Sequence, residues 1–434
     1  MDSKKIIVLG AAGAVGSVAA RTLCKCADMA NIEKVVLADI DLEKVNALAK
    51  EFGKIATPIQ VDVLNKQALS LLVEDADVVL NCVGPFYKFV EPILSTVMQA
   101  GTDYVDVCDD VDVTLRILNQ DNVARSQNMS AVIGMGNSPG IPNLLARFAA
   151  DFLFDRLDAV DIYHVHGGEE FEGPGVIAHR FHCMSMEIPQ YINGEMQFVR
   201  FFEESGKALR TKTNFPHVGE NITVYPYPHP EQVTLPKYLS LKQVTNRGTV
   251  LPEEYYDLTT KIVEAGLHSK DPVEVNGQKV IPYDFSIAYL IQKRDEMLKK
   301  MNFGSRKGCL KVVVSGQKRK KQKQYEFIIA SSQMALGEGT GIPAAMATLL
   351  MAQGKIHRKG VFPPEAGINP LDFFKLIKPV LKSSNQDKSF GGLEVYEIKK
   401  GKRKPVSIEK IVGKAMIAKT LKNIFRKTEE IQLV

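Results

Sequence analysis

KIIVLGAAGAVGS at residues 5–17, with KVVLAD at residues 34–39, decides the fold. Residues 5–9 are a short β-branched apolar run, the pattern of a strand buried on both faces. Gly10, Gly13 and Gly16 follow, and residues 17–27 are rich in alanine and other small residues, which predicts a closely packed helix. A second strand, residues 34–38, ends on Asp39. The three glycines act differently. Gly10 turns the chain out of the strand, Gly13 admits a pyrophosphate to the backbone, and Gly16 lets the helix approach the sheet. The helix start at Ala14 and Val15 offers N–H groups and the positive end of the dipole to phosphate. Asp39 stands where a carboxylate meets the adenosine ribose hydroxyls. The spacing is G-x-x-G-x-x-G, not the stricter G-x-G-x-x-G, so the flanking strands and the acid must carry the inference against a plain flexible loop.

Working outward, residues 59–63 (IQVDV) read as a third strand, with Asp62 and Val63 at the adenine edge. Residues 75–82 (DADVVLNC) read as a fourth, running into Val83, Gly84 and Pro85, which would wall the nicotinamide side of the cleft. Residues 103–107 and 130–134 supply strands five and six, with helices expected at 91–100 and 112–127. The alternation predicts an α/β fold, a Rossmann-type doubly wound parallel sheet with ligands at the carboxyl ends of its strands. Asp39 and Asp41, with no arginine beside them, would repel a 2′-phosphate, so NAD is expected as cofactor in preference to NADP.

A chain of 434 residues is too long for one compact core. The expected division is a dinucleotide-binding domain over 1–145, an inserted α+β domain for substrate and dimerisation over 146–335, a return to the first domain over 336–380, and a basic extension over 381–434. No apolar run approaches the ~20 residues of a membrane-spanning helix, and a strand begins too soon after Met1 for a signal peptide. Six scattered cysteines fit a reduced, cytoplasmic protein. The formal charge of +5 is concentrated: from Lys375 onward there are 15 Lys or Arg against 6 Asp or Glu, so the remainder has no basic stripe suited to nucleic acid.

Several segments together resemble the saccharopine dehydrogenase-like oxidoreductases: the glycine turn at 10–16, NCVGPF at 81–86, YVDVCD at 104–109, GMGNSPG at 134–140, GTGIPAA at 339–345 and GVFPPE at 360–365. The resemblance spans roughly residues 4–377. It implies an NAD(P)-dependent enzyme acting on a carbon–nitrogen bond of an amino-acid, opine or polyamine-type substrate, commonly as a homodimer. The chain departs from saccharopine reductases at three reactive positions. Ser138 stands where they carry an aspartate before Pro-Gly. Phe86, with Tyr87 beside it, stands at their turn tyrosine. His166 stands where they have a cysteine before Gly-Gly. These departures argue against saccharopine itself as substrate.

From about residue 155 the βα alternation stops. Residues 160–166, 176–186 and 309–314 read as strands with one wet face, and 325–330 as the partner of the last across a basic hairpin tip at 315–324. Residues 252–266 and 284–299 read as helices, and 336–353 as a glycine-rich turn and helix that pack back on the first domain. His164 and His166 share one strand face. Zinc on these, with Glu169 or Glu170, competes with plain cleft-lining histidines, and the second reading is preferred: no metal is expected. His166 is the candidate for proton transfer, with Asp109 and Ser138 as further catalytic candidates. Asp106 or Asp109 could hold a cationic amine, whereas Asp110 or Asp112 suits a helix cap and Asp103 a structural role. The basic helix expected at 406–427, with Ile408, Ile411 and Val412 on its apolar face, is assigned to docking on the protein itself or a second subunit, not to a membrane.

Two functions compete. One is an oxidoreductase; the other is a dinucleotide-binding sensor that has lost its chemistry, favoured by the missing aspartate before Pro139. A short-chain dehydrogenase would need Tyr-x-x-x-Lys after the fourth strand, and that region has none.

Overall fold

The computed structural model describes residues 3–168, 172–303, 307–331, 336–384 and 392–413. The first sheet is made of β1 (Lys4–Leu9), β2 (Ile32–Asp39), β3 (Ala56–Gln60), β4 (Val78–Asn81), β5 (Asp103–Asp106) and β6 (Ser130–Val132). Further strands follow in the second half: β7 (Arg156–Gly167), β8 (Glu187–Ile192), β9 (Glu195–Arg200), β10 (Thr211–Phe215), β11 (Gly219–Pro226) and β12 (Gln243–Leu251). A small hairpin, β13 (Val273–Val275) and β14 (Gln278–Val280), precedes β15 (Lys307–Lys318) and β16 (Lys321–Ser331). The chain ends its described course with β17 (Gly360–Phe362), which joins the first sheet, and β18 (Leu393–Lys399) and β19 (Lys402–Pro405).

The first sheet is wholly parallel in the order β17-β6-β5-β4-β1-β2-β3. Its strand composition explains the unbroken apolar runs. Ile6 and Val8 of β1 bury into one core, and Ile7 and Leu9 into the other. Each such side chain contributes roughly 1.5–3 kcal/mol on leaving water. The order reverses between β1 and β4, so a crevice opens at the carboxyl ends of these strands.

The second sheet runs β10-β11-β12-β7-β15-β16-β18-β19, with β8 and β9 attached to β12. It is mixed: β12 and β7 are parallel, and its other pairings are antiparallel. The first domain is completed by the helix Leu336–Ala352, which lies on the helix Ala14–Lys25. Glycine makes this approach close: a Cβ on Gly337 would sit 2.6 Å from the Ala14 carbonyl, and one on Gly341 2.6 Å from that of Val15.

One expected strand is wrong. Residues 176–186 belong to the α-helix Pro174–Ser185. Its buried residues Ile177, Arg180, Phe181 and Met184 recur at three and four, and Pro174 sits in its first turn. His179, His182 and Ser185 fall three apart as well, which is helical and not strand spacing. The basic hairpin is present but tighter than expected. β15 and β16 pair out to Lys318 and Lys321, and Arg319 and Lys320 turn the chain with φ of 50° and 63°. Of the basic helix expected at 406–427, residues 408–413 are helical, and Ile408, Ile411 and Val412 pack against the main core. The rest lies outside the described residues, as do Glu169 and Glu170.

Candidate active site

The nucleotide side is built from the glycine turn. Gly10, at φ +75°, has the carbonyl of Cys82 3.0 Å from where a Cβ would sit, and a Cβ on Gly16 would lie 2.1 Å from the Gly10 oxygen. The helix Ala14–Lys25 starts at Gly13 with no side-chain cap and no acidic residue in its first turn. Gly13 and Ala14 are exposed and Val15 is half-buried, so the first N–H groups of this helix stand open to an anion. This fits a dinucleotide pyrophosphate. Asp39 accepts from the Ala12 and Asp41 amides at 2.9 and 3.1 Å, fixing the turn against the end of β2. Asp41 caps the next helix and pairs with Lys44 at 2.8 Å. Asp62 is exposed and accepts from the Leu64 amide, while Val63 is buried in the core. After β4, buried Asn81 accepts from the Val83 amide at 3.0 Å and donates to the Tyr104 hydroxyl at 2.9 Å, shaping the turn through Gly84 and Pro85.

The chemistry-bearing side centres on Ser138. The turn that carries it is closed by the Gly136 amide on the Pro139 carbonyl at 2.8 Å. Only glycine fits at its end, because Gly140 has φ +121° and a Cβ there would meet Gly136 at 2.4 Å. The Ser138 hydroxyl donates to Glu231 Oε1 at 2.5 Å, and its oxygen faces His229 Nδ1 at 3.0 Å and Asn246 Nδ2 at 3.4 Å. His164 of β7 stacks on His229 with ring centres 5.3 Å apart, and Tyr227 stands edge-on to both. The ring of His164 covers Gly248 of β12, where a Cβ would fall 1.9 Å from Cε1.

Burial sets the protonation of this cluster. It pushes the Glu231 carboxyl up to about 8, so the acid is neutral at pH 7. It holds His164 down at about 3, and His229 well below the usual histidine range, so both rings are neutral. Behind Ser138, buried Asn143 donates to Glu365 Oε2 at 2.8 Å, and burial raises that carboxyl to about 7. Ser138 is thus brought into a polar cluster with His164, which the sequence offered as a cleft-lining histidine, and with His229, Glu231 and Asn246, which sequence reasoning missed. The signal that could have found two of them is the run YPYPHPEQ at 225–232, where prolines and aromatics flank His229 and Glu231.

The other two candidates fall beside this cluster. His166 is half-buried two residues along β7 from His164, on the same face, close enough to act electrostatically on His164 and on Glu172. Asp109 lies 3.4 Å from Nε2 of His179, and Asp110 Oδ1 lies 3.2 Å from its Nδ1. Burial raises Asp109 to about 6, and although burial opposes it, the carboxylates lift His179 well above its usual range. Asp106 is fully buried; its Oδ1 accepts from the Gly134 and Cys108 amides at 2.7 and 3.1 Å, and its Oδ2 has no hydrogen bond. Asp103 accepts from the Ser130 amide at 2.6 Å. Asp110 occupies the cap position of the helix Val111–Leu118, yet its side chain makes no capping bond. A second buried network ties the helix Pro174–Ser185 to its neighbours. Glu172 takes a short bond from Arg180, one from the Tyr255 hydroxyl at 2.6 Å, and lies 3.4 Å from Arg294 Nε.

A doubly wound dinucleotide fold with a mixed-sheet second domain and a buried acid–histidine cluster at the strand ends defines an NAD(P)-dependent oxidoreductase. Residues 6–132 match the saccharopine dehydrogenase NADP binding domain, and residues 136–387 match the saccharopine dehydrogenase C-terminal domain. The chain belongs to the saccharopine dehydrogenase family. It is 25% identical over 386 residues to a carboxyaminopropylagmatine dehydrogenase of Synechocystis, covering 82% of this chain and 91% of that one. It is 22% identical over 374 residues to a carboxynorspermidine synthase of Vibrio alginolyticus, covering 80% and 84%. A saccharopine dehydrogenase (L-Glu forming) of Saccharomyces cerevisiae shares the fold at a TM-score of 0.65 and 15% identity, over 91% of this chain and all of that one. These relatives support the enzyme and not the non-catalytic sensor. The family description names NADP, which corrects the emphasis on NAD; a nicotinamide dinucleotide is common to both. Among the described residues no helix is long and apolar enough to cross a membrane.

Proposed function

We propose that the chain transfers hydride between a nicotinamide ring and a carbon bearing nitrogen, in a polyamine- or opine-type substrate, with Ser138, His229 and Glu231 handling the proton. The observation that carries this is the Ser138 hydroxyl held between Glu231 and His229 at 2.5 and 3.0 Å. The aspartate that saccharopine reductases carry before Pro-Gly is replaced here by a serine with a carboxyl group bonded to it from another element, so acid function is retained at that place. When bound, the dinucleotide supplies or takes the hydride. In the reducing direction the nitrogen must gain a proton. Neutral Glu231 holds one, and Ser138 passes it on once its hydroxyl turns from Glu231 to the substrate nitrogen, giving its own proton to the nitrogen and taking that of Glu231, which is left a carboxylate. Asn246 and His229 keep the serine oxygen oriented. His166 and Asp109 stay as secondary candidates, since they lie beside the same cleft. The relatives named for carboxyaminopropylagmatine and carboxynorspermidine support a substrate that carries both a carboxylate and an amine.

For the cofactor, the family match supports NADP as the leading reading; Asp39, through a free ribose, supports only the second, NAD. Lys44, beside Asp41 just after β2, is the cation that a 2′-phosphate would meet. A homodimer and a cytoplasmic setting belong to the same proposal; the first rests on the family resemblance, the second on six free thiols, five of them buried. Absorbance assays with NADH and NADPH on imines formed from 2-oxo acids, aldehydes and diamines test the reaction. Turnover on a carboxylated polyamine imine is expected; failure on every amine-bearing substrate would overturn it.

A further inference from the structure

Five chemistry-bearing side chains that the proposed reaction leaves aside, or holds in reserve, meet where the helix Val111–Leu118 faces the helix Pro174–Ser185. Asp110 and Asp112 come from the first, with Asp109 just before it; His179 and His182 come from the second, spaced so that both point from one helix face. The ligand atoms of Asp109, Asp110 and His179 all lie within 4.8 Å of one another, and so do those of Asp110, Asp112 and His182. Asp110 is common to both groups.

The decisive observation is Asp110 itself. The residue is 2% exposed, and neither carboxylate oxygen accepts a well-formed hydrogen bond. An aspartate at a helix cap position ordinarily satisfies an N–H of its own first turn. This one turns away from its helix and into the space between the histidines. Asp112 Oδ1 and His182 Nε2 are likewise buried without a hydrogen bond, 3.8 Å apart, while Oδ2 of Asp112 is taken by Arg116 at 2.9 Å. Tyr87 covers the His182 ring at 5.1 Å. Arg116 answers one oxygen of Asp112 and His179 faces Asp109 and Asp110, yet Asp110 Oδ2, Asp112 Oδ1 and His182 Nε2 keep buried lone pairs without a hydrogen bond, which is costly. A cation between them removes that cost.

We propose that Asp110, Asp112 and His182 form a site for one divalent transition-metal ion of the zinc type, with Asp109 and His179 beside it. Mixed imidazole and carboxylate donors select such an ion over magnesium, which prefers oxygen ligands and water. The ion would clamp the helix Pro174–Ser185 of the second domain to the dinucleotide domain at the mouth of the cleft.

The test uses the full chain, stripped with a chelator and desalted, then titrated with Zn²⁺ and separately with Mg²⁺. Bound metal is counted by elemental analysis, and thermal unfolding is followed at each step. One Zn²⁺ per chain, a rise in Tm on binding and at least tenfold weaker Mg²⁺ binding are expected. Asp110→Asn should lose Zn²⁺ and the Tm rise. If that variant does not fold, His182→Gln, which alters a more exposed ring, should weaken Zn²⁺ binding at least tenfold. His217→Gln, far away beside Glu394 at 2.9 Å, should bind as wild type. No Zn²⁺ retained by the wild type, or undiminished binding in His182→Gln, overturns the proposal.

Discussion

Glu231→Gln separates stability from activity at one residue. Glu231 is fully buried, and its carboxyl is pushed from an ordinary 4.5 up to about 8, chiefly by desolvation. A carboxyl raised in the folded state binds its proton more tightly there than in the unfolded chain. Its contribution to stability is therefore whole below pH 4.5, is lost as pH rises from 4.5 towards 8, and is gone above that. At pH 7 the loss is up to about 3.5 kcal/mol, from roughly 1.4 kcal/mol per unit of pH above 4.5. Glutamine keeps the oxygen that accepts from Ser138 and cannot ionise. The variant should be more stable than the wild type at pH 7–8, with the gap narrowing as pH falls towards 5, read from urea unfolding at a series of pH values. Its turnover should drop by about 10²–10⁴-fold, the range for loss of a general acid, and the wild-type decline in activity through pH 8 should be absent. A variant with parallel stability curves and an unchanged pH–rate profile would refute the assignment.

Asp39→Ala should weaken NAD binding and improve NADP relative to it, measured by fluorescence titration; a wild type that prefers NADP would instead place Lys44 against the 2′-phosphate. Gly16→Ala should cost about 1–3 kcal/mol of stability and loosen either dinucleotide at least tenfold, because its methyl meets the Gly10 carbonyl at 2.1 Å. Glu172→Gln should lower stability by about 3–5 kcal/mol, since it strips the carboxylate from two buried arginines; unchanged urea midpoints would show the network to be idle. His229→Ala should cut turnover without changing the Kd for dinucleotide, and a matched loss of both would make it structural.

Much of the first domain is legible in the sequence because its determinants are local. An apolar run buried on both faces, a glycine triplet and an acid at the end of the next strand are read within forty residues, and β1, β2 and the helix Ala14–Lys25 follow from them. Residues 336–352 are legible only in part: the glycines expected as a turn before the helix lie within it, where Gly337 and Gly341 let it approach the helix Ala14–Lys25. The helix Pro174–Ser185 reads wrongly as a strand because its apolar residues are interrupted by buried Arg180 and by His179 and His182, whose partners lie on another segment. What holds Asp106 is not legible either: its Oδ1 takes the amide of Gly134, 28 residues on, which only the fold brings to it.

The sequence by itself determined the class of cofactor, because pyrophosphate binding needs only backbone N–H groups and the absence of side chains, and both are written as glycines in a row. It determined Ser138 as a departure from its family but not its partner. That Glu231 and His229 close on Ser138 across some 90 residues, that Gly248 makes room for the His164 ring, and that Asp110 turns from its own helix towards His179 and His182 were decided only by tertiary structure. Side-chain chemistry of this kind depends on distance and burial, and a linear sequence encodes neither until the two domains are packed together.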